Sequence, residues 1–164
     1  MKLAIYYEKQ LELEKFVCQN IGMEWDEFSS VPMTDKRVFA FKVELAEFSN
    51  ETGWFKYWKQ SHVMDRAATL EEFADCIHFM VAIGLHRKYN KFVPELEWKQ
   101  WLERPDDLLY TSIMENGIAS SGNWKRCFEQ FIAIGYRLGF TLEEIENAYL
   151  EKNKKNIERQ INKY

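Results

Sequence analysis

The sequence predicts an all-α fold, and three observations carry that expectation. Apolar residues recur at steps of three and four through most of the chain, the period of one helix face. No stretch alternates apolar and polar residues with the period of two that a half-buried strand requires. The tetrapeptide Thr-Leu-Glu-Glu stands at 69–72 and again at 141–144. A Thr followed three residues later by Glu reads as a capping box that opens a helix. With 164 residues, 46% of them hydrophobic and 16% aromatic, the chain is long enough for a core without staples, and a single domain over residues 1–164 is expected.

The first helix is expected over residues 3 to about 20, where Leu3, Tyr6, Tyr7, Leu11, Leu13, Phe16 and Val17 supply an apolar stripe. Gln10 and Glu14 adjoin that stripe four residues apart. Spacing alone favours solvent-facing positions for both, with a base-reading amide at Gln10 as the alternative. Residues 21–34, holding Gly22, Ser29, Ser30 and Pro32, read as a loop. A second helix then runs from Thr34 or Asp35 to Asn50. The segment GWFKYWK, residues 53–59, is dense in rings and carries Lys56 and Lys59. Its rings fit base stacking beside phosphate-binding ammonium groups, or equally a core or subunit interface. A central helix from Thr69 to about Tyr89 is apolar nearly all round between Phe73 and Leu85. Residues 90–106, with Pro94, Trp98, Trp101 and Pro105, form the longest irregular segment, of the kind that often serves as a lid or an interface. Helical patterns follow over 107–119 and 123–139, punctuated by Gly117, Gly122 and Gly139. A last helix opens at Thr141 and carries Ile145, Tyr149, Lys152, Asn153, Asn156 and Arg159 on one stripe.

Charge and cysteine usage narrow the function classes. A formal net charge of −4 provides no broad basic face for nucleic acid or an anionic membrane, so an anionic ligand must meet a local basic cluster. Cys18, Cys76 and Cys127 form no Cys-x-x-Cys pattern and sit in apolar runs, as reduced core thiols of a cytoplasmic protein do. The opening MKLAIYYEKQ has no sustained apolar stretch, so no signal peptide is expected.

Four carboxylates carry the chemistry. Glu44 and Glu47 stand three apart in VFAFKVELAEF, and Glu72 and Asp75 stand three apart in TLEEFADCIHFM. Residues three apart share a helix face, so each pair projects two carboxylates from an apolar helix. If the helices face each other, repulsion would raise some of the pKa values, and a divalent cation would relieve it. Hard oxygen donors without thiolates suit Mg²⁺ or Mn²⁺. The competing reading is structural: Glu-x-x-Glu is common on solvated faces, and Glu72 would close a capping box with Thr69. His78, three after Asp75, reads as a hydrogen-bonded core histidine ahead of a metal ligand.

In order, Glu44-Leu-Ala-Glu47, Asn50-Glu51, Phe55-Lys-Tyr-Trp-Lys59, Glu71-Glu72-x-x-Asp75-x-x-His78-Phe79 and Tyr149-x-x-Lys152-Asn153-x-x-Asn156-x-x-Arg159-Gln160 resemble the motifs of the dimeric all-α dUTPases. That family groups with the MazG-like nucleoside triphosphate pyrophosphatases, and the resemblance is to its Gram-positive bacterial and phage type. It implies an antiparallel helical bundle, a homodimer, and Mg²⁺-dependent hydrolysis of dUTP to dUMP and pyrophosphate. It also implies that Glu44, Glu47, Glu72 and Asp75 hold two or more Mg²⁺ ions, one of the first pair also serving the attacking water. Lys56, Lys59, Lys152 and Arg159 would meet phosphates, and Asn153 and Asn156 sugar or phosphate. Gln10 would lie near the base, and Asn50 and Trp58 would line the nucleoside site. Two positions depart from the family pattern: Glu14, where relatives often carry Asp or Asn, and the ending INKY, which lacks an expected Gly-Tyr.

Three other readings are open to the sequence. The same fold could act on another nucleotide such as dCTP. A di-iron oxidase normally needs two Glu-x-x-His pairs, whereas only Asp75-x-x-His78 comes close and neither His62 nor His86 follows a carboxylate by three. A non-catalytic helical binding or regulatory protein is opposed by the intact carboxylates and basic stripe.

Overall fold

The computed structural model describes residues 1–115, 118 and 120–162. Seven α-helices are found among them: α1 Ala4–Asn20, α2 Trp25–Phe28, α3 Val31–Thr52, α4 Arg66–His86, α5 Asp106–Glu115, α6 Ser121–Arg137 and α7 Leu142–Ile161. No strand occurs among the described residues; an isolated bridge joins Lys2 and Glu95. The all-α expectation holds.

The helix starts explain where the boundaries differ from the sequence reading. Residues 21–34 are not one loop: α2 lies inside them, and α3 begins at Val31. Pro32 falls in the first turn of α3, where a missing N–H costs nothing. The central helix starts three residues earlier than Thr69, because the Asp65 carboxylate caps the amides of Ala67 (2.9 Å) and Ala68 (3.1 Å). The expected box at Thr69–Glu72 is therefore absent. Thr69 lies within the helix and donates its hydroxyl to the Asp65 carbonyl at 2.6 Å. The box at Thr141–Glu144 is present, with both reciprocal bonds. The end of the helix expected over 107–119, with Gly117, lies outside the described residues.

Helix α4 is the axis of the molecule, packing against α1, α3, α6 and α7. Pairs of contacts give the directions: Asp35 meets Arg87 while Glu44 and Asp75 converge, so α3 and α4 are antiparallel. His78 meets Tyr149 while Glu71 meets Lys155, so α4 and α7 are antiparallel too. Phe73 stacks on Phe131 at 4.2 Å between centroids, and Phe48 meets both edge-on. Close approach is built in at Gly84, where a Cβ would come within 2.6 Å of the Trp124 ring. That ring donates its indole N–H to the Met80 carbonyl. At the other end of α3, Gly53 closes the helix with φ 65°, a conformation that glycine adopts without steric cost.

The irregular stretch expected over 90–106 is tied down on two sides. Met1, Leu3 and Leu96 exchange backbone bonds with Leu96, Pro94 and Met1. The buried Glu129 accepts from the Glu97 amide (2.8 Å), Gln100 (3.2 Å) and the Trp101 indole (3.1 Å). This segment is a brace for the bundle.

Candidate active site

Helices α3 and α4 bring three of the four expected carboxylates together. One oxygen each of Glu44, Glu72 and Asp75 lies within 4.8 Å of the others. Glu47 is exposed and outside that trio, yet its charge acts on Glu44 and Glu72. Burial, then the charges of Asp75, Glu47 and Glu72, push Glu44 up to about 7. Glu72 is raised by burial and by Asp75. Asp75 is raised as well, because burial outweighs the Lys152 ammonium 2.5 Å from its Oδ2. Hard oxygen donors crowded so that at least one resists ionisation form a fit seat for Mg²⁺ or Mn²⁺.

Helix α7 supplies the cations. Lys152 is shared between Asp75 and Glu71, at 3.0 Å from the latter, and Lys155 reaches Glu71 at 2.5 Å. The ammonium bonds of Lys155 and then Lys152 lower Glu71 to about 2. Burial opposes the charge of Lys152, but Asp75 and Glu71 outweigh it and hold its pKa above the ordinary lysine value. Sequence reading gave Glu71 no role beyond its place in the family motif, since its partners lie about eighty residues away.

A cleft of about 270 Å³ opens beside the trio, and Gln10, Glu14, Glu44, Asp75, His78, Lys152, Asn156 and Arg159 are among its walls. Its floor is a polar chain that leaves little freedom. Gln10 and Glu14, which spacing placed in solvent, are buried. Gln10 donates from Nε2 to Glu14 at 3.0 Å, while its Oε1 lies 2.8 Å from His78 Nδ1 and 3.1 Å from the Tyr149 hydroxyl. Glu14 is held by Arg37 (2.7 Å) and His86 (3.0 Å), two partners that no local sequence signal marks. Burial pushes the Glu14 carboxyl up, but His86 and Arg37 prevail and hold it below the ordinary range. His78 is the core histidine the sequence favoured: its Nε2 lies 3.1 Å from the Tyr149 carbonyl, and burial lowers it to about 4.

The remaining expected residues lie elsewhere. Asn153 is buried, donating to the Lys9 carbonyl at 3.1 Å. Asn50, Lys56, Trp58 and Lys59 do not line the cleft. Lys56 donates to the Asn50 carbonyl at 2.7 Å. The rings around them are not core, for Tyr57 is 92% and Trp58 61% exposed.

The fold is thus an all-α one with a cleft that Glu44 and Asp75 of the carboxylate trio line together with Lys152, Asn156 and Arg159. The chain matches the family described as dUTPase over residues 2–164, and it belongs to that family, the all-α dUTPases. Membership implies a hydrolase acting on dUTP, of a family that is generally metal-dependent. No curated protein and no solved structure matched the chain. Among the described residues no helix is long and apolar enough to cross a membrane.

Proposed function

We propose that this protein hydrolyses dUTP to dUMP and pyrophosphate with Mg²⁺, acting as a single domain and as a homodimer in the cytoplasm. The observation that carries the reading is the carboxylate trio of Glu44, Glu72 and Asp75 at the edge of a cleft that also holds Arg159, Asn156 and Lys152. Glu44, Glu47, Glu72 and Asp75 would hold the ions, which when bound neutralise charge on the phosphoryl oxygens and lower the pKa of water. Arg159 makes no ion pair among the described residues, so its guanidinium is available to a phosphate. Lys152 would exchange Asp75 for a phosphate oxygen while Glu71 keeps it in place. Of the first carboxylate pair, Glu44 is the one on the cleft wall, and we assign it the orientation of the attacking water. Gln10, locked by Glu14 and His78, would present its remaining Nε2–H toward the base. Asn50, Lys56, Trp58, Lys59 and Asn153 are proposed as further substrate contacts on the resemblance alone. The exposed rings of 54–58 support the homodimer, and the buried thiols of Cys18, Cys76 and Cys127 support the cytoplasm.

The test is pyrophosphate release with Mg²⁺ across dUTP, dTTP, dCTP, dATP and dGTP, beside Glu47→Gln. Turnover confined to dUTP and lost in the variant is expected. Equal turnover of dCTP would overturn the base assignment, and unchanged turnover in Glu47→Gln would remove that residue from the metal set. Sedimentation at micromolar concentration showing monomer alone would remove the homodimer.

A further inference from the structure

A second cavity of about 450 Å³ lies between α1, the α2–α3 corner and the end of α4, and the proposed reaction makes no use of it. That volume is in the range of small-molecule sites. Glu14 belongs to the walls of both cavities, so a ligand in the second one would abut the carboxylate that fixes Gln10.

Three features of its lining agree on one ligand chemistry. The Trp25 indole, 36% exposed, lines the cavity with His86, 5.7 Å away between centroids, and is backed by the buried Phe28 at 5.9 Å. A face of that kind accepts a planar ring by stacking. Lys88 and Lys91 stand in the lining without an ion pair among the described residues. Lys88 holds φ 60°, the one positive value outside glycine among those residues. His86 completes the set. Its side chain is 2% exposed, its Nε2 faces Glu14, and its Nδ1 has no hydrogen-bond partner among the described residues.

We propose that this cavity is a second ligand site, taking a planar heterocycle that bears an anionic group, with the ring against Trp25 and the anion between Lys88 and Lys91. It is distinct from the carboxylate cleft and does not rest on the dUTPase reading. The full chain labelled with 5-fluorotryptophan tests it, with the Trp25 resonance assigned from Trp25→Phe. AMP serves as the probe because it joins a planar ring to one phosphate. Titration with AMP is expected to shift that resonance saturably. The double variant Lys88→Asn, Lys91→Gln is expected to bind at least ten-fold more weakly; Asn tolerates the left-handed backbone at 88. Adenosine and inorganic phosphate, each lacking one half of the ligand, are expected to bind at least ten-fold more weakly than AMP. No saturable shift, an affinity unchanged in the double variant, or adenosine or phosphate alone matching AMP would each overturn the proposal. Because the readout is the Trp25 resonance and not turnover, this outcome is separable from failure of the proposed hydrolysis.

Discussion

Glu129 is a buried carboxylate and Glu44 a half-buried one, and the fold treats them in opposite ways. Around Glu129, three N–H donors and the Lys125 ammonium at 3.4 Å converge on two oxygens. Glu14 is handled likewise, by Arg37, His86 and Gln10. Glu44 instead meets Asp75, Glu47 and Glu72, and Lys152 only partly offsets them. The first arrangement spends charge on holding elements together, since a buried carboxylate is stable when its lone pairs are satisfied. The second leaves a local excess of negative charge that its protein neighbours do not relieve, the arrangement on which the proposed cation site rests. Glu14 and Glu129 are buried and Glu44, Glu72 and Asp75 half-buried, but what sets the two groups apart is the identity of the neighbours.

The largest expected effect breaks the unsatisfied side of that comparison. Glu72→Gln should lower Mg²⁺-dependent pyrophosphate release by roughly 10³, equivalent to about 4 kcal/mol of barrier. The same change should leave the thermal midpoint of the chelated protein unchanged or raised, because it removes one of several like charges. Turnover and calorimetry on one sample check both halves. A variant that lost stability in step with activity would place Glu72 with Glu129.

Glu129→Ala attacks the satisfied side. It strands the Glu97 amide, the Gln100 amide, the Trp101 indole N–H and Lys125 together. Loss of one partner of a buried charged network costs about 3 kcal/mol, read as a shift in the denaturant midpoint at unchanged slope. Turnover per folded molecule should stay at the wild-type value, since the 90–106 brace lies outside the cleft.

How much of this was legible in the sequence follows the same division. The carboxylate pairs could be read from Glu44, Glu47, Glu72 and Asp75 because three-residue spacing within apolar helices is a local signal. So could the all-α class, from the periodicity. The satisfying partners could not. Arg37 lies 23 residues from Glu14 and His86 lies 72, and nothing local to either marks the pairing. Spacing therefore left Gln10 and Glu14 in solvent when they are the floor of the cleft. Thr69 shows a different failure: the local signal was real, but Asp65, four residues earlier, took the cap first.

Acidity sharpens the comparison, because the two kinds of carboxylate respond to it with opposite sign. Glu44 is raised from its ordinary value to about 7, so the stability its neutral form contributes is present below about 4.5 and lost as pH rises to 7. Glu14 is lowered, so its contribution is present above the ordinary value and lost as pH falls through the depressed one. In chelated protein the thermal midpoint should therefore fall between pH 5 and 8 relative to Glu44→Gln. Glu44 is only half-buried and solvent screens the repulsion, so the difference should be about 2–4 °C. Adding Mg²⁺ should close it, and by more at pH 8 than at pH 6. A wild type that tracked Glu44→Gln across that range would show that the trio is not electrostatically strained.

The smallest effects fall on the two copies of Thr-Leu-Glu-Glu, where identical letters meet the two treatments. Glu144 is satisfied inside its own box, accepting from the Thr141 amide at 2.8 Å, while its amide donates to the Thr141 hydroxyl at 3.1 Å. Thr141→Val should therefore cost about 1 kcal/mol, the usual loss for a cap. Thr69 caps nothing; its hydroxyl only bonds back to the Asp65 carbonyl, a contact that adds little to a helix. Thr69→Val, which keeps the buried shape, should cost less than about 0.5 kcal/mol, and Asp65→Ala should carry the roughly 1 kcal/mol of that helix start instead. Chemical unfolding of the three variants compares them directly. Equal losses at Thr69 and Thr141 would return Glu72 to capping, and with it the case for its carboxylate as a ligand would weaken. The expected order leaves Glu72 without a task at the helix start, which is what frees it to face Glu44 and Asp75.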